Sequence, residues 1–142
     1  MSELTRDNLG FLLAKASQRW NELLVDGFQE AGFPQVRPSF GSVLVPLFEE
    51  DGLRMGELAR RSGLSKQAMT TLVRTVENAG LVTRERDAAD ARAVRVSLSP
   101  RGEALRPVAE RVVAEAAGWA RERLSSAELT VLIESLRKVV QP

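Results

Sequence analysis

The sequence predicts a mostly α-helical protein with one small β-hairpin. Apolar residues recur at three- and four-residue steps through residues 5–31 and 99–140, which is the periodicity of amphipathic helices. Between these ends, Ala93–Leu98 alternates apolar and polar side chains, as a half-buried strand does. With 44% hydrophobic and 27% charged residues among 142, the composition is typical of one globular domain or one subunit of an oligomer.

The first two predicted helices are Thr5–Ala31 and Arg37–Glu50. A Gly-Phe-Pro sequence at 32–34 ends the first, because the residue before a proline is biased away from helical geometry. Pro38 stands in the first turn of the second helix, where its missing amide is tolerated. Pro46 lies inside the same helix and is expected to kink or shorten it, at a cost of about 3 kcal/mol.

The next segments predict a helix-turn-helix. Leu53–Met55 is predicted to form a short strand, and Gly56–Ser62 a short helix with Gly56 as a weak N-cap. Gly63 supplies the turn, Ser65 is the N-cap of the second helix, and Gly80 ends that helix. Two helices joined by a short glycine-containing turn are the arrangement found in many DNA-binding proteins.

The exposed face of the second of these helices has the chemistry of a DNA-reading surface. Its side chains are cations, an amide and short hydroxyls, which match base edges and phosphates in a major groove. No carboxylate occurs before Glu77. A solvated amphipathic helix would show the same apolar stripe, so the neighbouring segments decide between the two interpretations. The candidate DNA-binding residues on this helix are Ser65, Lys66, Gln67, Thr70, Thr71 and Arg74.

Two strands joined by a polar tip follow, predicted at Leu81–Arg86 and Ala93–Leu98. Arginines flank the tip on both strands. A hairpin that carries arginines beside a helix-turn-helix is a wing, and an arginine at its tip can enter a minor groove. The sequence thus predicts a winged helix-turn-helix core.

The stretch LSKQAMTTLVRTVENAGLVTRERDAADARAVRVSLSPRG resembles the DNA-binding core of the MarR family of bacterial transcription regulators. The family's wing pattern is Asp, two residues, Asp, one residue and Arg, followed by an apolar strand and a Thr/Ser-x-x-Gly helix start. Here the pattern is matched by Asp87, Asp90, Arg92, Val94–Leu98 and Ser99–Gly102. The flanking helices also have the family's order and lengths, so the resemblance covers most of the chain.

The resemblance assigns roles to individual residues. It implies that Arg92 enters the minor groove and that Asp90 braces the wing, against Arg74. It also implies that Gln67, Thr70, Thr71 and Arg74 read the major groove. For the two aspartates, ordinary turn chemistry is the alternative, because Asp stabilises tight turns by bonding its own backbone. Arg86 and Arg95 are expected to contact phosphates.

Two further amphipathic helices close the chain. The first starts at Ser99-Pro100 and runs to about Arg123, and a capping box at Ser125–Glu128 starts the second. The first helix of the chain would span roughly 40 Å, more than the core can cover. We therefore expect a homodimer in which residues 1–35 and 99–142 form the dimerisation helices around a core at 36–98. An intramolecular bundle in a monomer is the alternative.

Charge and composition narrow the function. Residues 52–106 hold 11 Lys and Arg against 6 Asp and Glu, whereas the rest of the chain holds 9 against 13. The basic excess therefore lies on the predicted DNA-binding core. The chain contains no cysteine and no histidine, which excludes disulfides and Cys/His metal sites, and no cofactor is expected. No apolar run is long enough to span a bilayer and no signal-peptide core is present, so we expect a cytoplasmic location.

The resemblance implies a sequence-specific regulator, a dimeric repressor on pseudo-palindromic double-stranded DNA that a small aromatic or anionic effector can release. Candidate effector-binding residues are Trp20, Arg37, Phe40 and Trp119, although packing of a core or dimer seam is the favoured explanation for large aromatics. Three alternatives remain: an activator, a dimeric protein-interaction module that does not bind DNA, and an enzyme. The consecutive acids Glu49, Glu50 and Asp51 give an enzyme little support, since they point in different directions.

Overall fold

The computed structural model describes residues 4–141 and shows, within that range, six α-helices and a three-stranded antiparallel sheet. The fold class predicted from the sequence is confirmed. The helices are α1 (Leu9–Glu30), α2 (Gly41–Glu49), α3 (Met55–Ser62), α4 (Lys66–Asn78), α5 (Pro100–Arg121) and α6 (Ser126–Val140). The strands are β1 (Leu53–Arg54), β2 (Val82–Arg86) and β3 (Val94–Leu98).

Helix α1 begins four residues later than predicted. The side chain of Asn8 accepts a hydrogen bond from the Phe11 amide at 2.8 Å and is the N-cap, a role for which Asn is among the best residues. Gly32, with φ of 89°, ends the helix in a left-handed conformation that favours glycine. The predicted start at Thr5 was wrong because the apolar periodicity does not by itself locate a cap.

Pro46 does not break the second helix. It lies buried within α2, which is preceded by a 3₁₀ turn at Pro38–Phe40. A proline removes the amide that would bond the carbonyl four residues earlier, here that of Ser42. The hydroxyl of Ser62, at the end of α3, donates a hydrogen bond to this carbonyl at 2.5 Å. Helix α2 covers only Gly41–Glu49 because residues 38–40 form the 3₁₀ turn, while it continues for three residues beyond Pro46. The orphan acceptor is satisfied by a neighbouring helix.

The helix-turn-helix forms as predicted, with one correction. Helix α3 starts at Met55, so Gly56 lies inside its first turn, and the N-cap position belongs to Arg54, which makes no side-chain cap bond. Gly63 adopts φ of 65° in the turn. Ser65 then caps α4 by accepting the Ala68 amide at 3.1 Å.

The sheet has the order β1-β3-β2. Strands β2 and β3 form the predicted hairpin, with Arg84 opposite Val96. Strand β1 pairs with the other edge of β3, with Arg54 opposite Arg95. The hairpin Val82–Leu98 is called the wing below, and the loop Asp87–Ala93 is its tip.

A single core joins the helix-turn-helix to the sheet and to parts of the long helices. Its fully buried side chains include Leu47, Leu58, Met69, Val96 and Leu105. Helix α5 ends at Arg121, two residues before the predicted end, and the capping box of α6 is present. Helix α6 buries no residue, and the first half of α1 is exposed, so the described chain leaves both apolar stripes largely uncovered. Within residues 4–141, no helix is both long and apolar enough to cross a membrane.

Candidate nucleic-acid interface

Helix α4 presents one face to the core and a polar face outward. Met69, Val73 and Val76 are buried at i, i+4 and i+7. The side chains of the opposite face are exposed, and in the part of the chain that the structure describes neither Lys66 nor Arg74 forms an ion pair with a carboxylate. The predicted DNA-reading residues therefore share one accessible surface, on which only Thr70 is half-buried: Ser65, Lys66, Gln67, Thr70, Thr71 and Arg74.

The wing tip is built around a buried carboxylate. Asp87 is 4% exposed and forms ion pairs with the guanidinium groups of Arg54 at 2.9 Å and Arg95 at 2.6 Å. Its other oxygen accepts the Ala89 amide at 2.7 Å. The hydrogen bond from Arg54, and next the one from the Ala89 amide, lower the pKa of Asp87 from 3.8 to about 2. The turn chemistry considered for Asp87 is present, but the two arginines make this residue the brace of the wing.

Asp90 has a different role from the one that the resemblance implied. Its Oδ1 accepts the Arg92 amide at 3.0 Å and the Arg92 Nε at 3.3 Å, and these bonds lower its pKa. The structure shows no contact between Asp90 and Arg74, so the predicted ion pair is not formed. Asp90 instead shapes the turn that carries Arg92, whose side chain is 92% exposed at the end of the tip.

The arginines of the wing divide into bound and free groups. Besides its ion pair with Asp87, Arg95 donates a hydrogen bond to the Gly52 carbonyl at 2.5 Å, so it is committed to the fold rather than to a phosphate. Arg86 is exposed on β2. Arg54 was not among the predicted site residues. The short strand expected at Leu53–Met55 forms as β1, but which of its side chains meets Asp87 depends on its register with β3.

A basic cleft lies between α4 and the wing. It has a volume of about 590 Å³ and contains side chains from both elements, among them Lys66 and Thr70 of α4 and Arg92 of the tip. Arg84 also lines it and pairs with Glu77 at 3.0 Å. The helix and the wing tip therefore line the same cleft, in which four cationic side chains face the single carboxylate of Glu57.

The candidate effector residues are only partly brought together. Trp20, Arg37 and Phe40 line an apolar cavity of about 270 Å³ between α1, α2 and α5, to which Phe28, Leu44 and Phe48 contribute walls. Trp119 does not line this cavity and lies near the far end of α5. In the described residues, no group of three or more Cys, His, Asp or Glu side chains could hold a metal ion.

Comparison with known proteins identifies the family. The model of the MarR family matches residues 38–94. An HTH-type transcriptional repressor of Mycobacterium tuberculosis is 34% identical over 93 residues, which cover 66% of this chain and 67% of the repressor. The chain belongs to the MarR family. As a member of this family it is a transcription regulator, and the homodimer is the typical assembly of the family.

Solved structures of MarR-family regulators share the whole architecture. CouR of Rhodococcus jostii, bound to p-coumaroyl-CoA, aligns with a TM-score of 0.80 and 26% identity over 99% of this chain and 97% of CouR. CouR bound to a 23-mer DNA duplex aligns equally well, at 25% identity, over 99% of this chain and all of CouR. A probable transcriptional regulator of Pseudomonas aeruginosa has a TM-score of 0.76 at 27% identity and covers 94% of this chain and 98% of its own.

Proposed function

We propose that this MarR-family regulator is a dimeric repressor that binds a pseudo-palindromic operator and blocks access to a promoter. The observation that carries the proposal is the common surface of α4 and the wing tip, where Lys66 and Arg92 line one cleft. Helix α4 can read the major groove while Arg92 enters the minor groove only if the sugar-phosphate backbone that separates the two grooves passes between them. The DNA-bound form of the similar CouR supports the same use of the fold.

In this proposal α4 and the wing contact different parts of the DNA. Helix α4 enters the major groove, where Gln67 and Arg74 can make bidentate bonds to adenine and guanine edges. Arg92 enters the adjacent minor groove, where its charge meets a concentrated negative potential. Arg86, Lys66 and the Ser65 hydroxyl contact phosphates, which position the protein without selecting a sequence.

The proposed dimer uses the exposed apolar stripes of the terminal helices. Leu9, Leu12 and Leu13 of α1 are exposed, and so are Ile133 and Leu136 of α6. A twofold partner with interleaved helices would bury these side chains and set two copies of α4 about one DNA turn apart. We therefore retain residues 36–98 as the DNA-binding core and 1–35 with 99–142 as dimerisation segments, of which residues 1–3 and 142 lie outside the described range.

The proposed effector site is the apolar cavity beside Trp20. It lies between the long helix α1 and the helix that leads into the DNA-binding core, so a ligand there can alter the spacing of the two α4 helices. The cavity is slightly smaller than the usual range for ligand pockets and holds one cation, Arg37, at its edge. A small aromatic carboxylate fits this chemistry. The effector-bound form of the similar CouR supports regulation by a ligand.

The proposal describes a binding protein, not an enzyme, because none of its steps breaks or makes a covalent bond. We propose a cytoplasmic location, because a regulator of bacterial genes acts on chromosomal DNA.

Fluorescence anisotropy with duplexes from the DNA upstream of the protein's own gene tests the proposal. We expect saturable binding of one dimer, much tighter than to a scrambled duplex and steeply weaker at higher salt. Arg92→Ala should weaken binding by about 1–3 kcal/mol, because it removes the minor-groove contact. Arg111→Ala is the matched control, since Arg111 is exposed on α5, away from the cleft, and should leave binding unchanged.

Two results would contradict the proposal. Equal losses in the Arg92 and Arg111 variants would show that net charge rather than the wing tip sets the affinity. If binding to these duplexes is weak, a selection from randomised duplexes follows. The second contradicting result is that this selection enriches no sequence, which would rule out sequence-specific regulation and favour a protein-interaction module.

A further inference from the structure

The three threonines of α4 all use their hydroxyl protons within the helix. Thr70 donates to the Lys66 carbonyl at 2.8 Å, Thr71 to the Gln67 carbonyl at 3.1 Å, and Thr75 to the Thr71 carbonyl at 3.2 Å. A hydroxyl carries one proton, so each of these oxygens keeps only acceptor capacity. Toward a base edge, such a threonine presents lone pairs and a methyl group, and it cannot donate to guanine O6 or thymine O4.

Two of these threonines border a shallow recess on α4. Ala68, Thr71, Leu72 and Thr75 follow the spacing i, i+3, i+4 and i+7, which places them side by side along one stripe. They line a depression of about 450 Å³, with Ser65 and Gln67 at its edge. The hydrogen bond from each threonine hydroxyl to the carbonyl four residues earlier is called a back-bond here. These back-bonds fix the χ1 angles of Thr71 and Thr75, so they also fix the positions of the two methyl groups. We call these four residues the methyl recess.

The surroundings of the methyl recess specify its occupant. Gln67 lies at its edge, no charged side chain lines it, and Arg74 is the helical neighbour of Thr71 at i+3. An apolar depression beside a cation, on a helix with no carboxylate between residues 65 and 76, suits a polyanion that carries apolar groups rather than an apolar peptide. In a major groove, the apolar group on a base edge is the C5 methyl of thymine.

We propose that the methyl recess binds a thymine methyl in each half-site of the operator, and that Thr71 and Thr75 determine this preference. The inference rests on the proposed function and adds the base that one part of α4 selects. Gln67, beside the recess, supplies both a donor and an acceptor for an adenine edge, and Arg74 is left as the guanine reader of α4. Thr75 and Ala68, which were not among the DNA-reading residues predicted from the sequence, thereby join Thr71 in contacting the base.

The test uses an operator obtained by selection from randomised duplexes, with single thymines replaced by deoxyuridine. Deoxyuridine lacks only the C5 methyl and keeps every hydrogen-bonding group. At one thymine per half-site, we expect the replacement to weaken wild-type binding about fourfold, the effect of one buried methyl group. Replacement in both half-sites should weaken binding about fifteenfold.

Protein variants show whether the methyl recess is responsible. Thr75→Ser and Thr71→Ser remove the γ-methyl and keep the hydroxyl, so the ratio of affinities for thymine and deoxyuridine duplexes should fall toward one. Thr75→Val keeps the methyl and should preserve the ratio. Thr70→Ser is the matched control, because Thr70 makes the same back-bond but faces the cleft beside the wing. Whatever it does to affinity, it should leave the ratio unchanged.

The outcomes distinguish failure of the thymine-methyl proposal from failure of the proposed DNA-binding function. A selected operator at which no deoxyuridine weakens binding overturns the inference and leaves the proposed function intact. A thymine-sensitive operator whose ratio is unaffected by Thr71→Ser and Thr75→Ser also overturns it. A selection that enriches no sequence overturns both. Circular dichroism of the variants confirms that α4 is retained.

Discussion

Replacement of Gly102 by alanine should destabilise the protein although it lies in a helix. Gly102 is buried in the first turn of α5, and its amide donates to the Ser99 hydroxyl at 3.0 Å. A Cβ added there would lie well inside van der Waals contact of the Leu81 backbone oxygen and 3.3 Å from Leu98 Cδ2. The close approach lets α5 pack on the backbone that leads from α4 into the wing.

The change in the free energy of unfolding caused by Gly102→Ala is the sum of two opposing effects. Alanine is favoured over glycine inside a helix by about 1 kcal/mol. Overpacking of a well-packed site costs about 1–3 kcal/mol, and the upper end applies here because the obstacle is backbone, which cannot rotate away. The net loss in the free energy of unfolding is therefore about 2 kcal/mol. For a chain of 142 residues this lowers Tm by about 7 °C.

Calorimetry at a single protomer concentration measures this effect, since the stability of a dimer depends on concentration. Gly56→Ala is the matched control. Gly56 is exposed in the first turn of α3, and a Cβ there would meet nothing within 4 Å. It should leave Tm unchanged or raise it slightly. If both variants shift Tm in the same direction and by the same amount, the argument from the close approach to Leu81 is refuted.

The remaining predictions concern the wing brace, the effector cavity and the dimer. Asp87→Asn should weaken operator binding in gel-shift assays as much as Arg92→Ala does, and wild-type affinity would contradict its role as the brace. Because the pKa of Asp87 is lowered to about 2 from 3.8, its stabilisation is complete above about pH 4 and lost toward pH 2. Chemical denaturation should show wild type and Asp87→Asn converging over that range. Small aromatic carboxylates should raise the Tm of wild type and not of Arg37→Met, and equal shifts would place the ligand elsewhere. Leu136→Glu should dissociate the dimer in sedimentation experiments, whereas Thr130→Glu, also exposed on α6, should not.

The sequence predicted the elements that depend on local signals. Ser65 as the N-cap of α4, the capping box at Ser125 and the hairpin around Asp87–Arg92 each follow from residues close together in the chain. Caps and turns are satisfied by neighbouring backbone groups, so their chemistry is visible without the fold.

Features that depend on distant contacts were missed or misjudged. Pro46 was expected to kink or shorten its helix, and its orphan carbonyl finds a donor in Ser62, twenty residues from Ser42. The partner of Asp90 was expected to be Arg74 and is Arg92. The Ser62 contact does not follow from periodicity, because it depends on how two helices pack, whereas Asp90 and Arg92 are two residues apart and meet in the turn of the wing tip.

The sequence by itself determined the order of helices and strands and the basic excess of the core, because periodicity, caps and charge counts are properties of the chain. Only the tertiary structure decided which arginines are available to DNA. Arg54, Arg92 and Arg95 carry the same charge in the sequence. The buried carboxylate of Asp87 engages Arg54 and Arg95, while Arg92 extends into solvent. An ion pair depends on distances in space, and these are set by the pairing of β3 with β1 on one side and β2 on the other.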